Sequence, residues 1–301
     1  MKSRLQKVSI IGLGLIGASI AAGLKQRGLA DRIIAYDTNA ESLETGISRA
    51  LIDEKADSVA ACVQGSSLVV LAVPVLSIRD SLSQLKDVLL EKNRSGQAPV
   101  VTDVGSVKST ILKAANEIFG EHPANLVPGH PVAGSEKHGV EAADPDLFEK
   151  HKVILTPTAS TDKDALGLVE EMWQGLGARV MQMTAEHHDS VFAQTSHLPH
   201  LLAYALVDTL SVQGDSLEIF EYAAGGFRDF SRIAASDPRM WRDIFDANGE
   251  EVLNILDRYV DELSAIRTLI ADGRMEELEQ LFKRAKIARD HFSSISQGKR
   301  K

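Results

Sequence analysis

Short apolar runs alternate with helical patterns through the first half of the chain. Val8–Leu13 predicts a strand, Ser19–Arg27 a helix and Arg32–Tyr36 a second strand. Leu68–Val73 is a continuous apolar run closed by Pro74, the pattern of a strand buried on both faces. Val100–Val104 and Val153–Leu155 repeat that pattern, and Arg179–Met183 offers a last strand. Strands of this kind separated by helices predict an α/β fold built on a mainly parallel, doubly wound sheet.

After Met183 the periodicity becomes helical. Thr184 can cap a helix that runs through His197 and His200 to about Ser211, with a kink expected at Pro199. Asp237-Pro238 starts another helix, with an Asp cap and Pro in the first turn. Leu253, Leu256, Val260, Leu263 and Ile270 then share one face, and Arg274–Ser294 reads as a further helix. Residues 1–183 are therefore expected to form the sheet domain and residues 184–301 an all-helical domain. Long helices with a narrow apolar seam often pack on a twin, so a homodimer through the helical domain is expected.

Composition narrows the function classes. A chain of 301 residues buries roughly 75% of its unfolded surface, enough for two cores without staples. The single cysteine, Cys62, reads as a buried inert thiol in a reducing compartment. Net charge is −9 with both signs mixed along the chain, so nucleic acid is not an expected partner. Lys2, Arg4 and Lys7 precede an uncharged run from Val8 to Leu24, which imitates a secretory signal. Four glycines in that run, at 12, 14, 17 and 23, weaken such a helix, and the expectation is a cytoplasmic protein with no membrane partner.

The first three of those glycines have a chemical meaning. GLGLIG, from Gly12 to Gly17, follows a predicted strand and opens a predicted helix. Gly12 suits the tight turn, Gly14 lets backbone reach a pyrophosphate, and Gly17 allows close helix packing. The second strand ends in Asp37, 20 residues beyond Gly17, where a carboxylate would accept both ribose hydroxyls and repel a 2′-phosphate. This Rossmann-type arrangement predicts NAD as cofactor. Leu15, Ile16, Val73, Pro74 and Asp103 complete the candidate cofactor-binding set, and no metal is expected.

Downstream stretches carry further candidates. TDVGSVK, from Thr102 to Lys108, places Ser106 either at the carboxyl edge of the sheet or simply at a helix cap. GHPVAGSE, from Gly129 to Glu136, sets His130 between glycine and proline in an expected short turn, beside a cofactor that requires a proton acceptor. SHLPH puts His197 and His200 on neighbouring positions of one helical face. GGFRDFSR supplies Arg228 and Arg232, and DPRMWRDI supplies Trp241. Of the arginines, Arg232 is the better candidate for a planar grip on a carboxylate.

In this order GLGLIG, DVGSVK, HPVAGSE, SHLPH, GGFRDFSR and DPRMWRDI resemble the prephenate/arogenate (cyclohexadienyl) dehydrogenase family in its stand-alone form, over about residues 7–290. The resemblance implies NAD-dependent oxidative decarboxylation of a cyclohexadiene, prephenate to 4-hydroxyphenylpyruvate or arogenate to tyrosine. It implies that His130 accepts the proton of the ring C4 hydroxyl and that Ser106 helps hold the same oxygen and the cofactor. Working as a neutral imidazole, His130 is expected to give turnover an acid limb near the ordinary 6.5. Arg232 would hold the ring carboxylate, His200 and Trp241 the side-chain end, and Glu136 would help gate or polarise the pocket. His197 is a further substrate-binding candidate in a supporting place, with Gly225 and Asp229 also in support. Position 109 is serine where the family pattern DVGSVKG has glycine. Two other readings stand beside this one. A 3-hydroxyacid dehydrogenase of the 6-phosphogluconate type would need a lysine in the helical half, yet none occurs between Lys163 and Lys283. A non-catalytic NAD-binding redox sensor would need GLGLIG and Asp37 but not His130, Ser106, His200 and Arg232 together.

Overall fold

Strands β1 (Leu5–Ile11), β2 (Ala30–Tyr36), β3 (Glu54–Lys55), β4 (Leu68–Leu71), β5 (Val100–Asp103) and β6 (Leu126–Val127) form one sheet. In the computed structural model their order is β3-β2-β1-β4-β5-β6, with every neighbouring pair parallel. The structure describes residues 5–95, 98–133, 137–212 and 220–298. Helices α1 (Leu15–Gln26), α2 (Ala40–Ser48), α3 (Val59–Val63), α4 (Ile78–Ser95) and α5 (Ser109–Phe119) make the crossovers. Val8, Ile10, Leu68, Val69, Val70 and Leu71 are fully buried, because helices cover both faces, and this explains the unbroken apolar runs. Cys62 is likewise buried, and burial pushes its thiol up to about 11, so it is inert.

The strand order reverses between β1 and β4, and the carboxyl ends of these strands flank the crevice where ligands bind in such sheets. Gly12 turns the chain there at φ +95, and a Cβ on it would lie 2.4 Å from the Ala72 carbonyl oxygen. A Cβ on Gly17 would lie 2.1 Å from the carbonyl oxygen of Gly12. Both glycines are required by the protein's own packing.

A second sheet departs from the expectation. Strands β7 (Gly129–Val132), β8 (Lys152–Leu155) and β9 (Arg179–Gln182) form a separate layer in which β7 and β8 are antiparallel. The apolar runs at 153–155 and 179–183 therefore do not extend the main sheet. Pro128, between β6 and β7, offers no N–H to continue the ladder, and β7 pairs with β8 instead. His130 is thus a strand residue opposite Ile154, not part of a short turn. Helix α6 (Lys163–Gly175) joins β8 to β9.

The remaining elements are helical: α7 (Ala185–Phe192), α8 (Leu198–Ser211), α9 (Gly225–Ser231), α10 (Pro238–Ala247), α11 (Gly249–Ala271) and α12 (Met275–Gly298). Thr184 caps α7 through the His187 amide, and Asp237 caps α10 through the amides of Arg239 and Met240. Pro199 cannot donate to the carbonyl four residues back, and the chain widens into a π turn at Ala193–His197 just ahead of it. Trp241 and Ile244 of α10 are buried with Val75 and Val107, which seats this helix over the carboxyl ends of β4 and β5. Residues 252–301 form a compact unit of their own. Of the apolar seam read from the sequence, Leu253, Val260, Leu263 and Ile270 are exposed and Leu256 is half-buried, and Phe282 and Phe292 are exposed as well. Among the described residues no helix is long and apolar enough to cross a membrane.

A fully buried ion pair ties β5, α5 and β7 together. Lys108 Nζ donates to Asp103 Oδ2 and, at 2.6 Å, to the Gly129 carbonyl. The Asp103 carboxylate also accepts the amides of Gly105 and Gly129. Both side chains are 0% exposed, and burial pushes Asp103 up and Lys108 down while each opposes the other's shift. Removing one partner leaves a buried group uncompensated. Lys108→Met should therefore cost about 3–5 kcal/mol of stability, read from urea unfolding; a loss below about 1 kcal/mol would mean the pair is dispensable.

Candidate active site

The crevice between β1 and β4 collects most of the expected cofactor residues. Asp37, at the end of β2, accepts the Leu13 amide on Oδ2 at 2.6 Å and the Asn39 amide on Oδ1 at 2.8 Å. These bonds hold the carboxylate beside the glycine loop while leaving lone pairs for another donor. Gly14 is the N-cap of α1 and makes no side-chain cap, and Leu15 and Ile16 begin the helix. A Cβ on Gly14 would meet no atom within 4 Å, so protein packing does not demand glycine there. A glycine needed only for the approach of an outside group fits a pyrophosphate over the helix N-terminus. Val73 and Pro74 follow β4 on the opposite lip, where the Val73 side chain would lie 3.0 Å from a Cβ on Gly12. Asp103 corrects the expectation. Its side chain is fully buried on Lys108, Gly105 and Gly129, so it braces the fold rather than binding a cofactor.

His130 points into a buried relay. Its Nδ1 lies 2.8 Å from His188 Nε2, and His188 Nδ1 lies 2.7 Å from Asp189 Oδ1. Asp189 in turn accepts the amides of Lys108 and Ser109, each at 2.8 Å, and so caps α5 from a different helix. Ser109, which stands where the family pattern has glycine, engages the Asp189 carboxylate through its side chain as well as its amide. Phe192 stacks on His188 at 4.4 Å and tilts against His130 at 4.8 Å. Ser106 is half-buried in the connection between β5 and α5, two residues before Lys108.

The helical residues form the other wall. His200 stacks on Trp241 at 3.9 Å, and its Nδ1 bonds the Ser196 carbonyl at 2.8 Å. Arg232, an exposed residue at the end of α9, is near enough for its charge to disfavour protonation of His200. His197 corrects another expectation. It is 1% exposed, meets Trp241 edge-on and accepts from Asn248, so it supports the wall rather than lining it. The same Asn248 amide donates to the Asp189 carbonyl. Contacts and fields therefore run without a gap from His130 through His188, Asp189, Asn248, His197, Trp241 and His200 to Arg232. Glu136 lies outside the described residues. Reading the sequence missed His188, Asp189, Lys108 and Asn248; the adjacent His188-Asp189 just after the Thr184 cap was the available signal.

Comparison with known proteins agrees with this geometry. The family profile described as the nucleotide-binding domain of prephenate dehydrogenase matches residues 20–182, and the one described as its dimerization domain matches residues 184–284. The chain belongs to the prephenate dehydrogenase family. It is similar to a cyclohexadienyl dehydrogenase of Zymomonas mobilis, 36% identical over 94% of both chains. Among solved structures it resembles a prephenate dehydrogenase from A. aeolicus in complex with hydroxyphenyl propionate and NAD+, with TM-score 0.87, 40% identity and coverage of 97% of this chain and 100% of that one. It also resembles the Synechocystis arogenate dehydrogenase, with TM-score 0.78, 29% identity and coverage of 95% and 100%.

In this member of the prephenate dehydrogenase family, burial sets the state of the site's histidines. It holds His130 well below the ordinary 6.5 and His188 below it too, and lowers His197 to about 4. The expected acid limb near 6.5 is therefore corrected downward: His130 stays neutral, and able to accept a proton, further into acid. These groups also link stability to pH. The unfolded chain takes up protons below about 6.5, while the folded one resists until each lowered pKa is reached. Unfolding midpoints should thus fall between pH 6.5 and 4, by up to about 1.4 kcal/mol per pH unit for each such histidine. A midpoint constant over that range would contradict neutral burial.

Proposed function

We propose that this chain oxidises prephenate, arogenate or both with NAD, and releases the ring carboxylate as carbon dioxide. The observation that carries the proposal is the unbroken run of contacts and fields linking His130, beside the cofactor crevice, to His200, Trp241 and Arg232 in the helices. Membership of the family and the activities named for its relatives support the same reaction. NAD, when bound, supplies the acceptor for the hydride that leaves ring C4.

The chain's own residues do the rest. Asp37 holds the ribose hydroxyls, and the amides at the start of α1 face the pyrophosphate, with Gly14 leaving room for it. Leu15, Ile16, Val73 and Pro74 line the same crevice. Neutral His130 accepts the C4 hydroxyl proton, and Ser106 steadies that oxygen. Arg232 grips the ring carboxylate until a ketone forms next to it and aromatisation drives its loss. His200 and Trp241 face the substrate side chain, and the buried Trp241 Nε1, which has no acceptor among the described residues, is a donor suited to it. Glu136, which the resemblance puts at the pocket, would help gate or polarise it. Residues 1–183 are the NAD-binding domain and residues 184–301 the substrate and dimerisation domain. The exposed apolar residues of α11 and α12, together with the dimerization profile, support a homodimer. The buried thiol supports a cytoplasmic setting.

Purified protein with NAD should form NADH on addition of prephenate, arogenate or both; silence with both substrates overturns the proposal. His130→Asn should lower kcat on the order of 10²- to 10⁴-fold while NAD affinity holds, and a variant that keeps most of its turnover would remove His130 from the role. Arg232→Lys should chiefly raise KM for the cyclohexadiene, since a point charge cannot replace a planar fork; unchanged KM for both substrates would refute that grip. Gly14→Ala should weaken NAD binding by about ten-fold or more without lowering the melting temperature of the free protein. Intact affinity would argue against a pyrophosphate at that position.

A further inference from the structure

The hydrogen bonds behind His130 fix where its protons sit. Asp189 is 2% exposed and bonds His188 Nδ1 and two backbone amides. Burial pushes its carboxyl up, but the bonds from His188, Lys108 and Ser109 outweigh that and hold it below the ordinary range. An ionised carboxylate only accepts, so His188 must carry its proton on Nδ1. Neutral His188 then presents a bare Nε2, and the His130 Nδ1 that lies 2.8 Å away must be the donor. By elimination His130 keeps its lone pair on Nε2. His188 is 0% exposed and stacked on Phe192, so neither water nor rotation offers an easy alternative.

Resting on the function proposed above, we infer that His188 and Asp189 are positioning residues. They lock His130 in the tautomer whose Nε2 accepts the substrate proton, and they share the positive charge that results. In the step itself the substrate O–H bond breaks and an Nε2–H bond forms on His130. The hydride leaves C4 with its electron pair for the nicotinamide. The imidazolium then makes a charge-assisted bond through Nδ1–H to His188, which is backed by the Asp189 carboxylate. The charged and titratable groups facing this pair are Asp189, Lys108, Asp103 and His197. Lys108 opposes the new cation, whereas Asp103 and Asp189 favour it.

Asp189 also caps α5, so its loss mixes folding with chemistry, and His188→Phe is the cleaner variant. It should lower kcat by about ten-fold or more with KM for NAD and substrate nearly unchanged. It should also move the acid limb of kcat to lower pH, because the imidazolium loses its acceptor. NMR of the imidazole nitrogens in the wild-type protein without ligands should find His130 protonated on Nδ1 and bare on Nε2. An active wild type whose His188→Phe variant keeps both kcat and pH profile would overturn the inference. So would a wild-type His130 protonated on Nε2, a result that does not depend on the variant folding. A wild type silent on prephenate and arogenate would instead overturn the functional reading and with it the charge-sharing role, while the tautomer is still decided by NMR.

Discussion

A lysine and an aspartate with no exposed surface at all, Lys108 and Asp103, hold β5, α5 and β7 together. Their pairing is costly in isolation and is stabilised by the further partners that both side chains take. The carboxylate takes the amides at both Gly105 and Gly129, and the ammonium takes the Gly129 carbonyl. The β5–α5 connection and the start of β7 thereby meet at the carboxyl edge of the sheet. His130 follows Gly129 directly, so the same pair that closes the β5–α5 connection also sets the imidazole.

From that anchor the site grows by adjacent contacts. The Lys108 and Ser109 amides hold Asp189, which orients His188, which meets His130. Asn248 carries the connection on to His197 and the indole of Trp241. The overall charge of −9 gives no attraction for an anionic substrate. In the proposed reading, recognition falls instead to Arg232, to hydrogen bonds and to helix ends, each acting over a few ångströms. A mostly neutral, buried set of imidazoles suits a reaction that needs a proton acceptor and no metal or covalent nucleophile.

Much of the fold was legible because its signals are local. GLGLIG followed by a carboxylate after the second strand specifies the crevice, since the backbone turn, the close packing and the bond from the Leu13 amide to Asp37 each demand a residue type. Thr184 and Asp237-Pro238 marked helix starts through capping chemistry. What escaped was decided by partners remote in sequence. An apolar run at 153–155 cannot disclose which sheet it joins, because that depends on how the connection at Pro128 folds back. His197 read as a pocket residue because the Asn248 amide is remote in sequence. Asp103 read as a cofactor contact although its partner Lys108 stands five residues on, since spacing alone does not show that the lysine folds back under burial. His188 and Asp189 looked like an ordinary first turn of a helix for the same reason.

The central claim is that His130 and Arg232 act on one six-membered ring beside the nicotinamide. A crystal structure of this protein with NAD and a ring-bearing substrate analogue tests it most directly. We expect His130 Nε2 within hydrogen-bonding reach of the oxygen on the carbon facing the nicotinamide, and the Arg232 guanidinium at the opposite end of the ring. A ring bound elsewhere, or one that meets only one of these two side chains, would contradict the claim.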